Sequence, residues 1–154
     1  MILEIDLKNI EQIAKRKENE NYSFQTFLIA QNSEMVDTIV HRLYEDIKAQ
    51  IDCTDCGNCC QNLRPIASDK ELSRFVEPKN IEAFRYLKGF PCKYIKDKKC
   101  TIYVDRHEEC REYPYLHKDE FITRTHAMLQ NFEICPIIFN VFEHLKTELG
   151  WTYK

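Results

Sequence analysis

Four cysteines fall within the stretch "CTDCGNCC", Cys53 to Cys60. Cys53, Cys56 and Cys59 are spaced C-x2-C-x2-C, and Cys60 follows directly. Thiolate is the soft ligand that holds zinc and iron–sulfur clusters. A two-residue step lets both sulfurs reach one centre while loop N–H groups point at them, and Gly57 eases the tight turn. Adjacent side chains diverge by about 100° in a helix and to opposite faces in a strand. Cys60 is therefore expected to point away from the centre held by Cys53, Cys56 and Cys59, or to bridge to a second metal. A Cys59–Cys60 disulfide is disfavoured, because bridged Cα atoms prefer about 5.5–6 Å and consecutive ones sit about 3.8 Å apart.

The other thiols are Cys92, Cys100, Cys110 and Cys135. Bacterial ferredoxins hold a four-iron cluster with C-x2-C-x2-C and a remote Cys-Pro. Here Cys135, followed by Pro136, would complete that set. Four-thiolate zinc sites usually draw on two C-x2–4-C knuckles, and only the first is present. The spacing thus favours iron, as an iron–sulfur cluster, with zinc as the alternative. Cys60, Cys92, Cys100 and Cys110 would form a second centre or enlarge the first. The C-x3-C-x2-C of radical enzymes is absent, and no βαβ setting suggests a thioredoxin-like dithiol.

Arg106 and Arg111 flank Cys110. They either offset thiolate charge or pair with Glu108, Glu109 and Glu112 on the surface. Lys96, Lys98 and Lys99 read as a solvated turn, so nucleic acid is not expected as a partner. His41 and His144 sit within helical patterns and read as structural. His117 and His126 stay uncommitted. No phosphate loop or nucleophile elbow is present.

These residues need a scaffold. Leu3, Leu7, Ile10 and Ala14 keep helical spacing. After a polar break at Lys17 to Asn21, Ser23 is a candidate cap for a segment with Phe24, Phe27 and Leu28. Val36, Val40, Leu43, Ile47 and Ile51 mark the strongest helix, widened by Met35, Ile39 and Tyr44 and capped by Ser33. Its charges, Asp37 among them, read as the solvated face. Ser68 to Glu71 is a capping box. Asn80 to Gly89 reads as a further helix with Ile81, Phe84 and Leu87 inward. Lys93 to Ile95 and Thr101 to Tyr103 read as arms of a small hairpin. Asp105 is a candidate cap for a short helix through Cys110, halted by Pro114. Phe121 to Ile134 is ambiguous. Pro136 opens a last helix with Ile137, Val141, Leu145 and Leu149 inward, closed by Gly150.

The fold class expected is mostly α: a single helical domain, 1–154, with a small β-hairpin around a cysteine-ligated metal centre. Residues 1–52 form the scaffold, 53–136 the metal-binding region and 137–150 the last helix. The 154 residues suit one domain with a real core. A net charge of −3 gives no case for an anionic partner surface. No apolar run approaches the roughly 18–20 residues that span a bilayer, and the N-terminus lacks the h-region of a signal peptide. A cytoplasmic protein is expected. Reduced thiols there argue for metal or redox chemistry over a secreted disulfide framework.

The arrangement resembles the CxxCxxCC family of zinc- or iron-chelating cysteine-cluster proteins. "CTDCGNCC" matches the naming motif, and "GFPCKYI", "CTIY", "RHEECREYP" and "ICP" are similar to its later pieces in order. Arg106, Cys110, Arg111, Tyr113 and Pro114 match in kind. His107 stands where the family usually has proline, and Tyr113 replaces phenylalanine. His107 is either an extra ligand three residues before Cys110 or, as favoured here, a tolerated surface residue. The resemblance implies bound zinc or iron, with all eight cysteines as candidate ligands. It gives no reaction, so the enzyme question stays open. Three functions follow: a metal-binding protein with a structural or electron-transferring centre, a metalloenzyme or redox protein acting at an open coordination position, or a zinc-stabilised interaction or nucleic-acid module. Metal ions are the expected partners; no redox or protein partner is legible.

Overall fold

A computed structural model describes residues 1–63, 70, 73–74, 77, 79, 92 and 94–154. The chain is mostly helical with one two-stranded antiparallel sheet. It divides into two compact units. A helical unit comprises Met1–Asp52 and Pro114–Lys154, and a cysteine unit comprises Cys53–Tyr113. Among the described residues no helix is long and apolar enough to cross a membrane.

In the helical unit, α1 (Leu7–Arg16) starts where the Asp6 carboxylate accepts the Asn9 N–H at 2.9 Å. Ile10 and Ala14 are buried as their spacing predicts, while Leu3 precedes the helix. The polar break shrinks to Lys17. Residues Glu18 to Asn21 already belong to α2 (Glu18–Ile29), so Ser23 lies inside a helix and caps nothing. The cap of α3 (Ser33–Lys48) is Asn32 rather than Ser33. The Asn32 side chain accepts the Met35 N–H at 2.8 Å. Val36, Val40, Leu43, Tyr44 and Ile47 form its buried stripe, but Met35 is 42% exposed and does not widen it.

The ambiguous stretch resolves as α7 (Phe121–Leu129), followed by turns, and Pro136 is the first residue of α8 (Pro136–Glu148). Helix α8 packs on α3, α7 on α2 and α3, and α1 on α2 and α8. Phe142 is fully buried at the centre, 5.4 Å from Phe121, 6.0 Å from Phe132 and 6.4 Å from Phe24, ring centre to ring centre. Tilted and edge-on pairs of this kind add to what burial alone supplies.

Two polar devices hold this unit and escape a periodicity reading. Asp37 is buried, not solvated. Its carboxylate accepts the Glu120 and Phe121 N–H groups, both at 2.9 Å, and so caps α7 from α3. Lys146, on α8, is 5% exposed. Its ammonium donates to Glu20 (2.8 Å), Asn21 (2.7 Å) and Glu143 (2.7 Å). Helix α8 ends in a left-handed Gly150 (φ 62°). Its N–H reaches Thr147 O, and the Trp151 N–H reaches Lys146 O at 2.9 Å, the double bond of a Schellman stop. His41 and His144 are tied to backbone, with Nε2 3.2 Å from Lys118 O and 3.1 Å from Ile2 O respectively.

The cysteine unit contains α4 (Cys53–Cys56), α5 (Asn58–Asn62), β1 (Ile95–Lys96), β2 (Lys99–Cys100), a 3-10 turn (Tyr103–Asp105) and α6 (Glu108–Glu112). The capping box at 68–71 and the helix expected at 80–89 fall outside the described residues, apart from Lys70.

Candidate metal centre

The knuckle is two short helical turns joined by a glycine. The Gly57 N–H bonds Cys53 O at 3.1 Å, and Gly57 then turns left-handed (φ 56°) to open α5. Cys53 is exposed; Cys56, Cys59 and Cys60 are half-buried. Cys59 and Cys60 are neighbours on α5, yet their side chains share a hydrogen bond. Cys60 thus stays in contact with Cys59.

The hairpin forms, with arms closer to the turn than the sequence suggests. Ile95 pairs with Cys100 and Lys96 with Lys99. Asp97 and Lys98 sit between them at φ 52° and 64°, the two positive angles of a type I′ turn. The expected outer arm is instead partly the 3-10 turn at Tyr103–Asp105. Cys92 and Cys60 are joined by backbone: the Cys92 N–H donates to Cys60 O at 2.7 Å. The Ile95 N–H then returns to Cys92 O at 3.1 Å. These bonds lay the hairpin strand carrying Cys100 beside the knuckle. Helix α4 packs on β2, and Lys99 reaches Asp55 at 3.6 Å. That ion pair is exposed and contributes little.

Cys110 lies on α6, half-buried. The residue preceding this helix is His107 rather than Asp105. His107 is 5% exposed, which corrects its reading as a surface residue. Its ring meets Tyr94 edge-on at 6.1 Å. Arg106 stacks on Tyr103 at 4.1 Å and donates to Tyr103 O at 2.7 Å; Arg111 is exposed.

Seven of the eight cysteines therefore lie in the cysteine unit. Cys135 lies in the helical unit, 7% exposed at the start of α8, with its N–H on Asn131 O at 2.9 Å. No described cysteine forms a disulfide. Among the described residues, no three His, Cys, Asp or Glu side chains are gathered as an ion's ligand shell.

One family model, described as a "putative zinc- or iron-chelating domain", matches residues 52–135. The chain belongs to the CxxCxxCC family. Neither a curated protein nor a solved structure matches it. The family match begins one residue before the knuckle and ends on Cys135, so every cysteine of this CxxCxxCC chain falls inside it.

Electrostatics tie together thiols that spacing left apart. The hydrogen bond from the Cys59 side chain brings Cys60 down to about 7 against the cost of burial. Burial raises Cys100, and the charges of Cys60 and Cys92 push the same way, while the Ile102 N–H and Arg106 oppose them. Cys110 is pushed up to about 12, first by burial and then by Cys60, Cys92, Cys100 and Glu109. Cys60, Cys92, Cys100 and Cys110 are thus within electrostatic reach of one another, the four that the sequence left either to a second centre or to an enlarged first one. The charge of Arg106 acts on Cys100 within this group.

Sequence spacing did not show why position 57 must be glycine beyond its turn. A Cβ there would lie 2.3 Å from Lys98 O, a backbone atom of the hairpin tip. Gly150 has a similar φ, but a Cβ there meets nothing within 4 Å. Gly150→Ala should cost only the left-handed backbone term, about 1–2 kcal/mol. Gly57→Ala should cost that and also drive the hairpin off the knuckle. Metal per mole of purified protein should fall at least severalfold in Gly57→Ala and stay unchanged in Gly150→Ala. Equal metal content in the two variants would refute the contact.

Proposed function

We propose that this CxxCxxCC chain holds iron as an iron–sulfur cluster on its cysteine thiolates, in a centre that is structural or transfers electrons. The observation that carries the choice of iron is the C-x2-C-x2-C of Cys53, Cys56 and Cys59 with a late Cys-Pro. The donor set fits: seven soft sulfurs share one compact unit, and a backbone bond ties Cys60 to Cys92. Cys135, where the family match ends, is the eighth proposed ligand. Bound, such a group would supply one-electron chemistry or a cross-link. The chain's own part is to deliver thiolates, to offset their charge with Arg106, and to fix the knuckle against the hairpin through Gly57. Four charged sulfurs repel one another, so closing a ligand shell falls to the ion and releases protons.

Anaerobic purification followed by elemental analysis and an absorption spectrum tests this. The expected result is stoichiometric iron and sulfide, with a band at about 400 nm that dithionite bleaches (thiolate-ligated cluster). Colourless protein with stoichiometric zinc would overturn iron and leave chelation standing. Protein that takes up neither metal would overturn both.

A further inference from the structure

Cys59 and Cys60 are adjacent, and their side chains share a hydrogen bond. Both are half-buried, and neither is in a disulfide. Their backbone is pinned at both residues. The Leu63 N–H bonds Cys59 O at 2.6 Å, and the Cys92 N–H bonds Cys60 O at 2.7 Å. Two sulfurs are thus held in contact on a frame that opposes a direct S–S bond. Consecutive Cα atoms sit about 3.8 Å apart, short of the roughly 4.4–6.8 Å that a relaxed disulfide spans. One atom inserted between the sulfurs lengthens the bridge and relieves that strain. The inserted atom must be soft, because thiolates are soft donors. It must also be satisfied by two sulfurs, since among the described residues no three His, Cys, Asp or Glu side chains are gathered as a ligand shell. Zinc takes four donors. Trivalent arsenic that already carries one carbon substituent has two bonds left for sulfur.

We propose that Cys59 and Cys60 form a chelate site for a monosubstituted trivalent arsenical, R–As=O. Each sulfur forms one bond to arsenic as the As=O bond breaks. Both thiol protons leave on the oxygen as water. Arsenic stays trivalent, so no oxidant or reductant takes part. The pinned backbone means that little freedom is lost when the second sulfur closes the ring. The site differs in ligand from the zinc or iron centre and does not depend on it. Both cysteines are also proposed metal ligands, so arsenical and metal exclude each other at this pair.

Phenylarsine oxide, one equivalent on reduced full-length protein as purified anaerobically, is the probe. Intact mass should show one adduct formed with loss of water, and excess monothiol should not displace it. The remaining thiols are then alkylated, the arsenical is stripped with a dithiol, and the thiols so released are alkylated with a second reagent. The second label should fall on Cys59 and Cys60. Cys59→Ser and Cys60→Ser should each raise the concentration for half-occupancy by roughly 100-fold, the order of what an intramolecular second bond adds. The second label on any other pair, an adduct displaced by monothiol, no adduct, or wild-type affinity in either variant would overturn the site. The label on wild type reads the pair even if a variant fails to fold. Protein that carries neither zinc nor iron yet holds the arsenical on Cys59 and Cys60 would sink the metal reading and leave this site standing.

Discussion

A chelator added to metal-loaded protein should unfold the described elements of the cysteine unit, α4 to α6 and the hairpin, and leave the helices of 1–52 and 114–154 protected. Hydrogen exchange would show it as a loss of protection at the Cys92, Ile95 and Thr101 amides, whose bonds hold the hairpin to the knuckle. Amides within α3 and α8 should exchange as before, and the helical circular dichroism should fall only partly. The contrast comes from where apolar area is buried. Every described apolar side chain that is buried lies in the helical unit: Ile10 to Ile47 before the cysteine unit and Leu116 to Leu145 after it. Burial stabilises by about 1.5–3 kcal/mol for each large side chain, so that unit carries its own driving force.

In the cysteine unit the described fixed points are backbone hydrogen bonds, three α-helices of four or five residues, a 3-10 turn and a two-residue-armed hairpin. Helices this short are not stable by themselves, and neither is an isolated hairpin. Structural zinc in small peptides contributes on the order of 10 kcal/mol, enough to decide whether such elements form. A single cooperative transition in which both units melt together on chelation would contradict this account. So would full protection of the hairpin amides in the metal-stripped protein. Reloading the metal should restore protection at Cys92 and Thr101 without changing exchange in α8.

How much of this was legible depended on what each residue answers to. Helix α3 was readable because one face of it is buried, and burial writes a period of 3.6 into the sequence. Pro136 and Gly150 marked the ends of α8 by backbone chemistry that is local. Asp37 was misread because its partners lie 83 and 84 residues away, and an acid on a helix looks solvated without them. The hairpin was found but its arms were misplaced. A type I′ turn prefers Asn-Gly, and here Asp97 and Lys98 take the positive φ angles without glycine. For the site, spacing picked out Cys53, Cys56 and Cys59 as one loop. It could not say that the Cys92 N–H donates to the Cys60 carbonyl, nor that His107 is buried, because both are tertiary facts. Burial of a single histidine leaves no periodic trace.

Lys146 is where the helical unit should be most vulnerable to one substitution. Its ammonium has three oxygen partners, and the rings of Phe24, Phe132 and Trp151 surround it at 5.8, 5.8 and 5.9 Å. Removing one partner of a buried charge pair costs about 3–5 kcal/mol. Lys146→Met should sit near the lower end, about 3 kcal/mol. Lys17 still faces Glu20 at 3.2 Å and Glu143 at 2.5 Å, and the methionine keeps the aliphatic contacts with the rings. On a chain of this size that is a drop of roughly 10 °C in melting temperature.

The pH dependence gives a second handle on the same network. Burial would raise the Glu20 carboxyl, but the hydrogen bond and charge of Lys146, then of Lys17, lower it from its ordinary 4.5. A carboxylate lowered by folding binds fewer protons in the folded chain, so its contribution is present above 4.5 and is lost as pH falls through the folded value. Burial opposes the charge on Lys17, yet Glu143 and Glu20 raise it above 10.5. That part is full below 10.5 and fades as pH rises past it. Lys146→Met should therefore flatten the acid limb of the stability curve measured by urea unfolding, and Lys17→Met the alkaline limb. In a double-mutant cycle, Glu20→Gln and Lys146→Met should couple by about 1–2 kcal/mol. Additive effects, with an unchanged acid limb in Lys146→Met, would show that aromatic packing rather than charge keeps this lysine in the core.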